Sequence, residues 1–295
     1  MLRWPAVLSF TPAFCWYGVA LLECDTVPKH SKAKVRISIR SNSTHTHAWG
    51  TQPEMFGPRH EYRLGIILRE VDKLPRGARV LDAAVGLGQL AGRMQQRGYD
   101  VVGIDYSFEA ALHVRKTLGI PAVIGDLTKL PFRSNAFAGV TTGETLEHLD
   151  DDASAVAELA RVLDTGGTCV ATVPALQSLW SASDDYYEHR RRYTRDQLTS
   201  LFRAVSMRIE RASFWGFPIV LVYDTLVILP MNKRRARKAI DDDAALRSVA
   251  RAGRSRMLVN AVRAIFSLDR LFSFVPFGPG LLLVARKVSK PSQAQ

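Results

Sequence analysis

Residues 79–88, RVLDAAVGLG from Arg79 to Gly88, decide how this chain is read. An apolar run ends in an acid, glycines follow at alternate positions, and a second acid, Asp105, closes Val101-Val102-Gly103-Ile104. That order predicts a strand, a tight turn, a helix and a second strand. Val80 and Leu81 form the buried strand. Gly86 and Gly88 let the backbone approach a ligand at the mouth of the following helix, where free N–H groups and the helix dipole favour an anionic group. Asp105 is placed to accept hydrogen bonds from a ribose, and Tyr106 beside it joins the candidate cofactor residues. The pattern implies a nucleoside-containing cofactor.

Gly86-Leu87-Gly88-Gln89-Leu90-Ala91 also satisfies a dinucleotide fingerprint with an acid about twenty residues on, so an NAD-dependent oxidoreductase is the alternative reading. Asp82 argues against it, because a pyrophosphate gains nothing from a carboxylate at the end of the first strand. S-adenosylmethionine carries an ammonium that does. At these residues the chain resembles the class I S-adenosylmethionine-dependent methyltransferases, whose first motif runs hydrophobic, hydrophobic, Asp, x, Gly, x, Gly, x, Gly. Here the first of those glycines is Ala84.

The resemblance spans about Met55 to Lys287, and the end of the chain is similar to a bacterial subgroup with an apolar insertion. It implies an α/β, Rossmann-like, doubly wound sheet of seven strands with the last antiparallel. It also implies S-adenosylmethionine as cofactor, along Asp82, Ala84, Gly86, Gly88, Asp105, Tyr106, Asp126, Leu127 and Gly143. In that family the acid after the third strand and its neighbour, here Asp126 and Leu127, face the adenine. An acid there also serves as a cap in many α/β proteins. Ala84, and Ala138 where the family often has Asp, are departures that keep a non-catalytic binding module in view.

Patterning fills in the elements. Leu64, Ile67, Leu68 and Val71 recur at helical spacing within Pro58–Leu74. Strands are expected at Arg79–Ala83, Val101–Ile104, Pro121–Ile124, Ala138–Thr142, Thr168–Val173, Met207–Ser213 and Leu281–Ala285. The intervening helices run over Gln89–Arg97, from Phe108 with Ser107 as N-cap, after Asp150–Asp152 to a stop at Gly166-Gly167, and over Arg195–Phe202 with Thr194 as N-cap. Alternation of this kind argues for a parallel sheet with crossover helices.

A second motif follows the fourth strand: Gly143-Glu144-Thr145-Leu146-Glu147-His148-Leu149. Glu144, Glu147 and His148 form E-x-x-E-H, which on a helical turn would share one face. It is similar to a run in ubiquinone-pathway O-methyltransferases and small-RNA 2′-O-methyltransferases, where the resemblance implies ligands for a divalent metal. Two carboxylates and an imidazole suit Mg²⁺, Mn²⁺ or Zn²⁺, and His189 is the candidate fourth ligand. Glu147, His148 and His189 are the candidate catalytic residues, with either histidine as general base for a hydroxyl acceptor. Arg190, Arg191 and Arg192 lie between aromatic residues and are read as contacts to an anionic substrate.

The net charge of +12 points to an anionic partner. Phe214 to Pro230 is apolar yet short for a span, Lys233-Arg234-Arg235-Ala236-Arg237-Lys238 follows it closely, and Ala261 to Phe277 is again apolar. Residues 214–277 read as a helical insertion or lid, matched to a hydrophobic or lipid-linked substrate or to an anionic membrane surface. RNA stays open through the charge, although no basic-aromatic RNA-binding module is visible. Cys15, Cys24 and Cys169 show neither metal spacing nor a disulfide framework, so the expected place is the cytoplasm, with the inner face of the membrane as a docking surface. Residues 1–54, including His45 and His47, read as a disordered extension before a methyltransferase domain over 55–287 and a tail over 288–295.

Overall fold

The structure is a computed structural model that describes residues 57–232 and 256–289. The expected N-terminal extension, His45, His47, Lys233 to Lys238 and most of the tail lie outside the described residues.

Helix α1 (Pro58–Val71) has Pro58 at its first position, where the missing N–H costs nothing. It buries Leu64, Ile67, Leu68 and Val71, the stripe expected from their spacing. After β1 (Arg79–Ala83), α2 (Gln89–Gln96), β2 (Asp100–Asp105), α3 (Phe108–His113), β3 (Ala122–Ile124), β4 (Phe137–Gly143), α4 (Asp152–Val162) and β5 (Leu163–Pro174) alternate as predicted. A short α5 (Ala182–Tyr186), α6 (Arg195–Ala204), β6 (Met207–Trp215), α7 (Ile219–Tyr223), α8 (Arg256–Phe266) and β7 (Gly280–Lys287) complete the described strands and α-helices. The expected caps form: Ser107 accepts from the Ala110 N–H, and Thr194 builds a reciprocal box with Gln197.

The strands make one seven-stranded sheet in the order β3-β2-β1-β4-β5-β7-β6. The β1 to β5 pairings are parallel, and β7 runs antiparallel to both β5 and β6. Successive residues alternate between its two faces. Leu81, Val102 and Ala171 enter one core with Leu159 and Phe202, while Val80, Val101 and Val170 enter the other with Ile67 and Met94. A sheet buried on both faces explains the continuous apolar runs of its central strands. Cys169 lies wholly within it, where burial pushes its thiol up to about 12 and leaves it inert.

Two boundaries differ from expectation. Helix α4 ends at Val162, and Gly166-Gly167 do not stop it but lie within β5, where the pairing with β4 is irregular. A Cβ at Gly167 would stand 2.9 Å from the Asp164 carbonyl oxygen and 3.0 Å from that of Ala138. Close approach of backbone, rather than a helix stop, requires that glycine. The insertion also starts later than Phe214, because Phe214 and Trp215 still pair with Leu281 and Gly280 of β7.

Candidate active site

The carboxyl ends of β1, β2, β3 and β4 are adjacent in the parallel sheet, and open α/β sheets bind ligands along this edge. Asp82 is buried at the end of β1 and accepts a hydrogen bond from the Thr141 hydroxyl of β4 at 2.9 Å. The chain then turns through left-handed conformations at Ala84 (φ 65°), Gly86 (φ 52°) and Gly88 (φ 79°). Ala84 thus occupies a glycine-like conformation that costs a side-chain-bearing residue roughly 1 kcal/mol or more. Gly88 is glycine for two reasons, its backbone angle and its neighbours: a Cβ there would come within 2.5 Å of Leu118 Cδ1 and 2.9 Å of Val114 Cγ2.

Asp105 closes this turn from the neighbouring strand. Its carboxylate accepts from the Gly86 N–H at 2.8 Å and from the Ser107 N–H at 2.9 Å. Burial raises its pKa, and those amides oppose the shift. Each oxygen keeps a second lone pair, so the residue fastens the loop and retains capacity for a ribose hydroxyl. Tyr106 beside it is 73 % exposed. Asp126 accepts from the Thr128 N–H at 2.8 Å, which is the local capping role, while Leu127 is buried. Gly143 ends β4 with Thr172 Oγ1 and Ile67 nearby.

Beyond β4 the expected helical turn does not form at Glu144. Its φ of 54° is left-handed, and only Leu146–His148 make a turn of 3₁₀-helix. The convergence therefore comes from tertiary packing. Glu147, His148 and His189 offer ligand atoms within 4.8 Å of one another. Glu144 stands outside that set: its carboxylate lies 3.5 Å from Arg63 and 3.9 Å from Arg59, both on α1. Arg59 also donates to Asp224, just after α7, at 2.9 Å. Sequence reasoning missed both arginines and Asp224, because nothing local announces a contact between elements so far apart in the chain.

Glu147 is 0 % exposed, and neither carboxylate oxygen has a hydrogen-bond partner. Burial and then the nearby Glu144 push its pKa well above the usual carboxylate range. His148, whose ring meets that of His189 edge to face at 4.8 Å, is pushed down to about 4 by burial and by His189. An orphaned buried carboxyl beside two imidazoles fits a divalent cation, which would relieve both strains. Ligand atoms around one such ion lie roughly 3–4 Å apart, so the residues need only a small inward movement.

His189 is held from behind. Its Nδ1 lies 2.9 Å from Asp184 Oδ1, leaving Nε2 for a ligand or a proton. Asp184 is fully buried and also accepts from Arg192 Nε at 2.7 Å, Arg192 Nη2 at 2.8 Å and the Ser181 N–H at 2.8 Å. Burial alone would raise its pKa, but these donors hold it well below the ordinary carboxylate range. A carboxylate behind a histidine fixes tautomer and ring orientation. The sequence signal was available, since Asp184 opens the acidic and aromatic run that ends at His189.

The arginine run is corrected by the same contacts. Arg192 is committed to Asp184, Arg191 donates to Asp152 and to the Leu149 and Asp150 carbonyls, and Arg190 lies 3.4 Å from Asp150. Tyr193 adds a 2.6 Å hydrogen bond to Asp152. These side chains fasten the segment after β5 to the loop after β4, and Arg191 and Arg192 are not left to meet an anionic substrate.

The chain is similar to known methyltransferases. Residues 81–171 match the family model of a methyltransferase domain. A ubiquinone/menaquinone biosynthesis C-methyltransferase of Desulfotalea psychrophila is 36% identical over 124 residues, covering 39% of this chain and 50% of that protein. A ubiquinone biosynthesis O-methyltransferase of Hahella chejuensis is 38% identical over 130 residues, covering 41% and 53%. The chain thus spans about half the length of the curated relatives it matches. Among solved structures, phosphoethanolamine N-methyltransferase 2 of Haemonchus contortus in complex with S-adenosyl-L-methionine gives a TM-score of 0.51 at 18% identity, covering 77% of this chain and 52% of that one. The [4+2]-cyclase SpnF gives 0.53 at 20%, covering 79% and 82%. The fold is the α/β Rossmann-like methyltransferase fold that these structures share.

Proposed function

We propose that the chain transfers the methyl group of S-adenosylmethionine to an oxygen of a hydrophobic acceptor. The observation that carries the reading is the matched domain of residues 81–171, which contains the Asp82 strand end, the left-handed turn and the Asp105 loop clamp. It favours adenosylmethionine over a nicotinamide cofactor, since Asp82 gives a buried carboxylate where a pyrophosphate would be repelled. The residues suit the cofactor: Asp82 would take the ammonium end, Asp105 the ribose, and Asp126 with Leu127 the adenine, with Tyr106 beside them. When bound, it supplies an activated methyl group on a sulfonium. What the protein adds is mainly alignment, which accounts for much of the rate in such transfers.

The acceptor class rests on two supports. Relatives are named for methyl transfer in ubiquinone and menaquinone biosynthesis, and the insertion before β7 is apolar. Glu147, His148 and His189 would hold a divalent cation, which lowers the pKa of a bound acceptor hydroxyl. Asp184 orients His189, and Arg59 with Arg63 balances Glu144 at the rim. With no cation, His189 Nε2 would take the hydroxyl proton; the Asp184 contact to the other nitrogen favours it over His148.

The test is transfer of labelled methyl from S-adenosylmethionine to an organic extract of cells, with Asp105→Ala as control. Label in apolar phenolic products, lost in the control, is expected. Tight NAD binding without adenosylmethionine binding overturns the proposal. EDTA is expected to abolish turnover and leave cofactor affinity intact; full activity in EDTA assigns His189 to proton transfer alone.

A further inference from the structure

The insertion between β6 and β7 exposes more apolar surface than its own packing uses. Helix α8 turns Val259 and Phe266 inward, where the Phe266 ring meets Tyr62 at 5.9 Å and Tyr223 at 5.2 Å. Yet Met257 and Ile265 of the same helix are 84 % and 51 % exposed. Leu268, Leu271 and Phe274 continue this outward series, and Leu226 after α7 adds to it. A helix apolar on both sides is built for two apolar neighbours. Outside these two segments, the exposed large apolar residues among the described ones are Tyr106, Phe108 and Ile124 at the cofactor edge. The apolar excess is therefore localised to the insertion.

A pocket of about 300 Å³ opens beside it, between α1, the end of β6 and the turn after α8. Its aromatic wall includes Tyr62, Phe217 and Phe272, and its cations are Arg69, Arg211 and Arg270. The pocket's carboxylates are already engaged. Glu70 pairs with Arg211 at 3.0 Å, and Asp269 accepts from the Ile219 and Val220 N–H groups at 2.8 and 3.1 Å. Among the described residues, neither Arg69 nor Arg270 has a carboxylate within ion-pair distance. Burial, then repulsion from Arg270, lowers the pKa of Arg69. With Arg211 taken by Glu70, the Arg69 and Arg270 guanidinium groups on one cavity remain to fit a phosphate.

We propose that this face docks on an anionic lipid bilayer, with the exposed side chains of α8 and the following turn in the headgroup boundary and the arginine pocket on a lipid phosphate. The charge selects this occupant. In sequence, Lys233, Arg234, Arg235, Arg237 and Lys238 follow the α7 segment, adding cations next to the same apolar stretch. A second copy of the chain pairing through this face would bring like-charged arginines together, whereas an anionic leaflet satisfies apolar and cationic groups at once. Among the described residues no helix is long and apolar enough to cross a membrane, so the contact is interfacial.

The experiment is co-sedimentation of the full chain with vesicles of phosphatidylcholine alone or of phosphatidylcholine with phosphatidylglycerol. Binding about tenfold or more tighter to the anionic vesicles, weakening as salt is raised, is expected. A Leu271→Ser/Phe274→Ser variant is expected to lose most binding to both vesicles. An Arg69→Gln/Arg270→Gln variant is expected to lose the preference for the anionic ones. All four residues are exposed, and unchanged thermal melting of the variants verifies that the fold is kept. Equal partitioning of the wild type to the two vesicles overturns the proposal. So does a wild-type dimer that the apolar variant converts to monomer without any vesicle binding.

Discussion

At the scale of single residues, Ala84 and Glu147 each hold an unfavourable state that the surrounding fold maintains. Ala84 has a φ of 65°, the conformation for which glycine is suited. Relief of that strain outweighs the greater chain entropy of glycine in the unfolded state, so Ala84→Gly is expected to stabilise the protein by about 1 kcal/mol. Cofactor affinity should be unchanged or improved. Thermal melting and titration calorimetry with S-adenosylhomocysteine check both, and a clear loss of affinity would overturn the assignment of Ala84 to a glycine position of the cofactor turn. Glu147 is a buried acid whose pKa is raised by burial and by Glu144, so without a cation its neutral form is favoured. A neutral amide of the same shape should then be tolerated. Glu147→Gln is expected to leave the melting temperature of the metal-free protein nearly unchanged while weakening Mn²⁺ binding by about 100-fold or more. Unchanged Mn²⁺ affinity, read by calorimetry, would remove Glu147 from the ligand set.

At the scale of elements, the strands and the capped helices were legible because their signals are local. Arg79–Ala83 is bounded by its own apolar run, and Ser107 and Thr194 cap helices that begin at the next residue. Gly166-Gly167 misled because the same dipeptide serves a helix stop or an irregular strand start, and only the nearby Asp164 and Ala138 carbonyls distinguish them. The E-x-x-E-H run was legible as chemistry but not as geometry. Spacing by three and four implies a shared face only if the backbone is helical, and Glu144 is not. The short α5 escaped notice for want of length, yet Asp184 within it orders His189, Arg192 and Ser181 together. Asp184→Ala should leave the Arg192 guanidinium, whose side chain is only 11% exposed, without its carboxylate. The expected loss is about 3 kcal/mol, or roughly 6–12 °C in melting temperature for a domain of this size. Because His189 would also lose its orienting partner, kcat should fall by more than KM rises. A drop in stability with full activity would separate the two roles of Asp184.

At the scale of the whole molecule, the site is a junction between parts that share no local sequence signal. Arg59 on α1 reaches Glu144 after β4 and Asp224 after α7, and its guanidinium lies 5.2 Å from the centre of the Trp215 ring on β6. The helix that precedes the sheet, the loop bearing the candidate ligands and the start of the insertion are thus coupled through one side chain. Burial raises the pKa of Asp224, and Arg59 opposes that shift, so the carboxylate depends on its partner. Removing the arginine leaves a partly buried acid uncompensated, which costs more than the pair contributes by forming. Arg59→Ala is therefore expected to destabilise the protein by about 2 kcal/mol, unevenly. Amide hydrogen exchange should accelerate over residues 219–228, which lean on α1 through this contact, while amides of β1 and β4 keep their protection because their sheet pairing is untouched. Exchange accelerated equally in the insertion and the central strands would show that Arg59 supports the fold as a whole. Protection unchanged in both would show that the aromatic packing of Phe266 against Tyr62 and Tyr223 holds the insertion by itself.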